Sequence, residues 1–229
     1  MTSLINSPAW RALQEHFEQV RDLHLRDLFD ADPERFNKFS VNFNDILFDY
    51  SKQRVTDETM SKLIELARQA DVGGWIEKMF SAEKINHTEQ RAVLHVALRN
   101  NFDKPILLSG KDVMPEVKQV REQMYQLSEA VRTRQWRGYT GQPITDIVNI
   151  GVGGSDLGPV MATEALKPYA IRDLGVHFVS NVDENHIWDT LEPLKPETTL
   201  FIIVSKSFTT QDTLVNAKTA RNWFRRVAG

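Results

Sequence analysis

The chain reads as an α/β protein: a helical N-terminal region followed by the first part of a doubly wound parallel sheet. Three observations predict this. After Gly138, strand-like runs at 146–150, 176–180 and 199–204 alternate with helix-like runs at 157–166, 185–191 and 212–227. The strand runs are largely continuous in apolar residues, as expected of parallel strands covered on both faces. Two loops rich in Gly, Ser and Thr each join a strand to a helix. They are Gly151-Val152-Gly153-Gly154-Ser155-Asp156-Leu157-Gly158-Pro159 and Ser205-Lys206-Ser207-Phe208-Thr209-Thr210-Gln211-Asp212.

The N-terminal elements follow from periodicity. Trp10, Leu13, Phe17, Val20 and Leu28 recur at helical spacing, with Pro8 near the start and Asp32-Pro33 as the break. Phe39, Val41 and Phe43 alternate with polar residues, and Ile46 and Phe48 shift the phase, which predicts a hairpin. Met60, Leu63, Ile64, Ala67 and Ala70 mark an amphipathic helix, ended by Gly73-Gly74. A shorter helix is expected over 75–80. Asn86 with Glu89 three residues on resembles a helix cap, and the Ala/Leu/Val-rich run 91–99 is expected to be helical. Residues 100–112 read as a loop. Val113, Val117, Val120, Met124, Leu127 and Val131 form the cleanest helical stripe, and it is expected to be a core face.

Composition excludes several classes. The 229 residues are 41% hydrophobic and 26% charged, as in an ordinary globular protein. No apolar run is long enough to span a membrane as a helix, and the start lacks the pattern of a signal peptide. Absence of cysteine excludes disulfides and thiolate metal sites and fits a reducing compartment. A net charge of −3 gives no bulk reason to bind nucleic acid, so any anion affinity is local.

Both loops precede helices, whose N-termini present free N–H groups and the positive end of the macrodipole. The first loop fails as a dinucleotide fingerprint, because Asp156 stands where glycine or alanine is needed. It fails as a P-loop too, since Gly158 is followed by Pro159. Its glycines allow close backbone approach to a ligand, and Ser155 or Asp156 can cap the next helix; an ordinary capped turn explains the same residues. The second loop is sharper. Ser205, Ser207, Thr209 and Thr210 supply four hydroxyls and Lys206 a positive charge, more than one cap requires. Hydroxyls, backbone N–H groups and an ammonium together suit phosphate. Asp156 and Asp212 read as helix-start carboxylates. The six histidines are scattered: His16 and His24 on a helix surface, His95 packed within its helix, and His87, His177 and His186 without a spaced partner. No metal-ligand cluster appears.

At these residues the chain resembles the glucose-6-phosphate isomerase (phosphoglucose isomerase) family. The resemblance includes Glu89-Gln90-Arg91-Ala92-Val93-Leu94-His95, Gly110-Lys111-Asp112-Val113-Met114-Pro115-Glu116-Val117 and Trp136-Arg137-Gly138-Tyr139-Thr140-Gly141. It continues through Asn149-Ile150 into both loops and runs from about Asn42 onward. The resemblance implies interconversion of glucose 6-phosphate and fructose 6-phosphate through a cis-enediol, built on two sugar-isomerase (SIS) domains. It implies that Gly154 and Ser155 line the sugar-phosphate site and that Ser205, Lys206, Ser207, Thr209 and Thr210 hold the phosphate. Phe208 would serve as scaffold. Ser207 stands where the family typically has threonine; the hydroxyl is kept. Residues 1–110 would be a helical region with a small strand pair, and 111–229 a partial SIS domain.

Family members are more than twice as long, and the resemblance places their catalytic glutamate, histidine, lysine and arginine beyond Gly229. The chain is therefore expected to be an N-terminal fragment, carrying the phosphate-binding half and inactive alone. The sheet is then expected to have an unpaired edge and an uncovered apolar face. Expected partners are a hexose phosphate and, for the whole enzyme, a second copy, in the cytoplasm; no nucleic acid, membrane or cofactor is implied. A non-catalytic SIS-type module that senses a phosphosugar is the alternative, and a purely structural α/β domain a third reading.

Overall fold

The structure is a computed structural model that describes residues 4–102 and 104–229. They form two compact units, divided after Val117.

In the first unit, a 3-10 turn precedes α1 (Pro8–Val20), where Pro8 takes a first-turn position and the Ser7 hydroxyl accepts the Trp10 N–H. α2 (Leu25–Ala31) is a separate helix, started by His24 Nδ1 accepting the Arg26 N–H, so the single helix expected to continue through Leu28 is interrupted. α3 (Arg35–Lys38) leads into the expected hairpin of β1 (Ser40–Phe43) and β2 (Ile46–Asp49), with Val41 opposite Phe48 and Phe43 opposite Ile46. α4 (Asp57–Gln69) packs against α1 and starts on a capping box between Thr56 and Thr59. His16 is buried there, with Nε2 2.8 Å from the Thr59 hydroxyl, which corrects its expected surface position.

Gly73-Gly74 begins a helix rather than ending one. α4 closes at Gln69, Asp71 turns left-handed at φ 54°, and its carboxylate accepts the Gly74 N–H to open α5 (Val72–Phe80). A side chain at Gly74 would meet that carboxylate at 2.5 Å. The helix expected over 91–99 shrinks to α6 (His95–Leu98). The Asn86 side chain does accept the Glu89 N–H, but Gln90 then turns left-handed and Asn86 pairs its backbone with Arg91, so a tight turn replaces the helix start. His95 is correspondingly exposed, not packed. The expected loop 100–112 contains a small hairpin, β3 (Leu107–Leu108) and β4 (Lys111–Asp112), turned at Ser109-Gly110 with both φ positive.

α7 (Met114–Arg132) forms where the stripe predicts it. Its middle is not a core face: Val120 is 52%, Met124 66% and Leu127 44% exposed, because no described element covers them.

The second unit contains β5 (Asp146–Ile150), α8 (Leu157–Ala165), β6 (Gly175–Val179), α9 (Glu184–Leu191), β7 (Thr199–Ile203) and α10 (Gln211–Ala228). The strands fall within a residue of the apolar runs. They form one parallel sheet in the order β6-β5-β7, with Ile150 opposite Val179 on one side and Ile203 on the other. Val148, Ile150 and Val179 are fully buried and pack with Ile187 and Leu191 of α9 and Ala220 of α10. Each buried Val or Ile contributes roughly 1.5–3 kcal/mol. The other face is only partly closed: Val176 is 40% and Ile202 43% exposed, so the expectation of cover on both faces fails there.

At the amino ends of the strands, His177 Nε2 lies 2.8 Å from Asp146 Oδ1. The Thr145 hydroxyl bridges Asp146 and the Thr198 hydroxyl. A Cβ at Gly175 would sit 2.7 Å from that carboxylate and 2.9 Å from the imidazole, so glycine leaves room for the pair.

Candidate functional site at the sheet switch point

Topology decides where a ligand fits. From β5 the chain moves to β6 on one side, then passes back over β5 to β7 on the other. Right-handed crossovers in opposite directions put α8 and α9 on opposite faces. α9 and α10 share the face that buries Val148 and Ile150. The loops after β5 and β7 therefore part toward opposite faces, which opens a crevice at the carboxyl ends of two adjacent strands. Those are the two Gly/Ser/Thr-rich loops.

The first loop is shaped by its glycines. Gly151 is buried, and a Cβ there would lie 2.8 Å from both Cβ and the carbonyl oxygen of Ser155. Gly153 has φ +59° and begins a 3-10 turn through Ser155. Gly154 is exposed, and a Cβ there would meet nothing within 4 Å. Asn149 Nδ2 donates to the Ser155 carbonyl at 3.0 Å and holds the turn from below. Asp156 occupies the N-cap position of α8, yet its side chain makes no capping hydrogen bond. It is 7% exposed, and its Oδ1 has no partner among the described residues. The expected cap is thus not made.

In the second loop, the Ser205 hydroxyl accepts the Phe208 N–H at 3.2 Å and lies 3.5 Å from the Thr210 hydroxyl. Ser207 and Thr209 hydroxyls are 2.6 Å apart. Lys206, Ser207, Thr209 and Thr210 are exposed, and Ser205 is half-buried. Phe208 adopts φ 54° and is 60% exposed. Left-handed backbone at a non-glycine residue is strained. Thr210 stands at the N-cap of α10 without a side-chain cap. The first-turn N–H groups of α10 thus take no hydrogen bond from the capping side chain, although a hydroxyl is in the capping position.

The helices with capped starts are informative by contrast. Ser7, Thr56, Asp71 and Asp183 cap α1, α4, α5 and α9 with their side chains. α8 and α10, the two that meet at the switch point, have no side-chain cap, a lack they share with the one-turn helices α3 and α6. An uncapped helix N-terminus flanked by hydroxyls and an ammonium has the groups that attract an oxyanion. Sequence reading singled out these residues but not their unused caps, which depend on side-chain geometry. It also missed the His177–Asp146 pair, which parallel register brings together across adjacent strands. Among the described residues no group of His, Asp or Glu could hold a metal ion, and no helix is long and apolar enough to cross a membrane.

Fold and site together define an α/β protein with two uncapped helix starts, flanked by hydroxyls, at the switch point of a parallel sheet. The sequence model of the phosphoglucose isomerase family matches residues 49–229, and the chain belongs to that family. The structure is also similar to that of a glucose-6-phosphate isomerase from Chlamydia trachomatis D/UW-3/Cx, with a TM-score of 0.77 and 24% identity. That match covers 97% of this chain and 42% of the chlamydial chain.

Proposed function

We propose that this chain supplies the phosphate anchor of an enzyme that interconverts glucose 6-phosphate and fructose 6-phosphate. Ser205, Ser207, Thr209 and Thr210 hydroxyls, the Lys206 ammonium and the first-turn N–H groups of α10 hold the 6-phosphate. Gly154 and Ser155 lie beside the sugar. The observation that carries this reading is the uncapped start of α10 beneath Thr210, a hydroxyl positioned to cap and not used for it.

The isomerisation moves one proton from C2 to C1 of the open-chain sugar and one from the C2 oxygen's side to the C1 oxygen's side through an enediol. Atoms and electrons balance without a redox partner. Phosphate binding supplies remote energy that fixes the sugar for this proton transfer. The general base comes from polypeptide outside these 229 residues, and the whole enzyme pairs with a second copy of itself. Residues 111–229 belong to an SIS domain, and the enzyme works in the cytoplasm in glycolysis and gluconeogenesis.

The test is kinetic and calorimetric. In the longer isomerase, Lys206→Ala with Thr210→Ala removes two contacts to a charged group, each of roughly 1.5–3 kcal/mol. KM for glucose 6-phosphate then rises about 100-fold or more. An unchanged KM sinks the assignment. The chain alone shows no isomerase turnover, and it binds glucose 6-phosphate but not glucose. Measurable turnover by the chain refutes the division of labour, and high-affinity binding by the chain favours the sensor alternative.

A further inference from the structure

The two helix starts at the switch point differ in charge. Residues 205–212, which lead into α10, carry Lys206 and four hydroxyls, with Asp212 half-buried in the first turn of the helix. Residues 151–159, which lead into α8, contain one ionisable side chain, Asp156. Asp156 is 7% exposed and stands at the N-cap position of α8 without capping it. Its Oδ1 is buried without a hydrogen-bond partner among the described residues. Its backbone is held at both ends: its N–H donates to the Gly153 carbonyl at 3.0 Å, and its carbonyl accepts the Val160 N–H at 2.9 Å. The carboxylate is therefore fixed beside the first turn of α8. A charge held away from water is screened less than an exposed one. A negative charge there offsets the attraction of the helix start for an outside anion.

We propose that Asp156 sets the specificity of the crevice: it admits a sugar with one phosphate, seated at α10, and rejects a sugar whose second phosphate falls at α8. This rests on the phosphate anchor proposed above. The carboxylate repels a second phosphate through space and needs no contact with it. Neutral hydroxyls at that end of the sugar meet no such repulsion. A repulsive element against the wrong ligand gives selectivity as well as added contacts to the right one do.

The experiment is calorimetric titration of the chain with glucose 6-phosphate and with fructose 1,6-bisphosphate, which carries a phosphate at each end, at one fixed ionic strength. The unmodified chain is expected to bind the monophosphate at least about tenfold more tightly. This ratio tests the proposal without any variant. Asp156→Asn, neutral and nearly the same shape, is expected to lower the ratio about tenfold, and Asp156→Ser to do the same. Asp156→Glu keeps the charge and is expected to keep the discrimination. Circular dichroism melts identify the variants that fold. A merely structural role for Asp156 would weaken both ligands together and leave the ratio alone. An unmodified chain that binds the bisphosphate as tightly as the monophosphate, or a ratio unmoved in the folded neutral variants, overturns this proposal and leaves the phosphate anchor standing. Glucose 6-phosphate binding that ignores Lys206→Ala with Thr210→Ala removes the anchor itself, and failure of the unmodified chain to bind either sugar phosphate removes both.

Discussion

Arg35→Met removes the side chain that organises the first unit from within. Arg35 is 2% exposed, and its guanidinium forms no ion pair with a described residue. It donates Nε to the Ser51 carbonyl at 2.9 Å and Nη2 to the carbonyls of Gln53 and Val55 at 2.7 and 2.9 Å. It also sits over the Phe39 ring at 4.6 Å and near Phe29 at 5.6 Å. Methionine keeps much of the stem and loses the donors. The Gln53 and Val55 bonds are only partly buried, so water replaces part of what is lost. The Ser51 bond is buried, and its carbonyl is left unpaired at roughly 1–3 kcal/mol. Loss of the two half-exposed bonds and the cation–π contacts adds about 2 kcal/mol. The expected total is about 3–5 kcal/mol, a large share of ordinary domain stability. Urea unfolding followed by circular dichroism measures it. Arg35→Lys keeps the charge but not the three-way fork, and is expected to fall roughly halfway. A loss below about 1 kcal/mol for Arg35→Met, or a lysine variant as stable as the parent, refutes the reasoning.

Three further outcomes are expected. Gly151→Ala, whose methyl would meet Ser155 at 2.8 Å, destabilises by about 1–3 kcal/mol in thermal melts, while Gly154→Ala, with nothing within 4 Å, loses little stability but weakens binding of glucose 6-phosphate. Equal losses at the two positions would contradict the loop geometry. Gly138→Ala, with a Cβ 1.9 Å from the Glu197 carbonyl, is destabilised at least as much as Gly151→Ala. The Ser51 hydroxyl, then the Ser51 N–H and Lys52, hold the Asp49 carboxyl down at about 2. A depressed carboxylate stabilises fully above its unfolded value, near 3.9, and the contribution disappears as pH falls through about 2. Carboxyl titration by NMR checks this, and Ser51→Ala is expected to move the Asp49 midpoint upward.

The strands of the second unit were legible because each is a short run dominated by Ile, Val, Leu and Phe between helix-like segments, as in a parallel sheet. Their order was not, since nothing in the runs says that β5 lies between β6 and β7. α7 was legible as a helix and misread as a core face, because periodicity reports a stripe and not what lies over it. Residues 91–99 failed for a local reason: Asn86 and Glu89 form the bond of a helix cap, and a left-handed Gln90 turns the chain away. In the site, residue types pointed to the hydroxyl loop, whereas the idle caps at Asp156 and Thr210 required coordinates.

The strand order has a consequence in time. β5 is made first but is the central strand, and its partner on one side, β7, follows only after β6 and α9. Ile150 pairs with Ile203, 53 residues later. At roughly 5–20 residues per second, the ribosome needs about 3–10 s to deliver that partner. Throughout that interval Val148 and Ile150 belong to a strand with at least one edge unfilled, the state in which nascent chains pair wrongly with one another. The arrangement that opens a crevice for a ligand also makes the core of this unit late to close during synthesis.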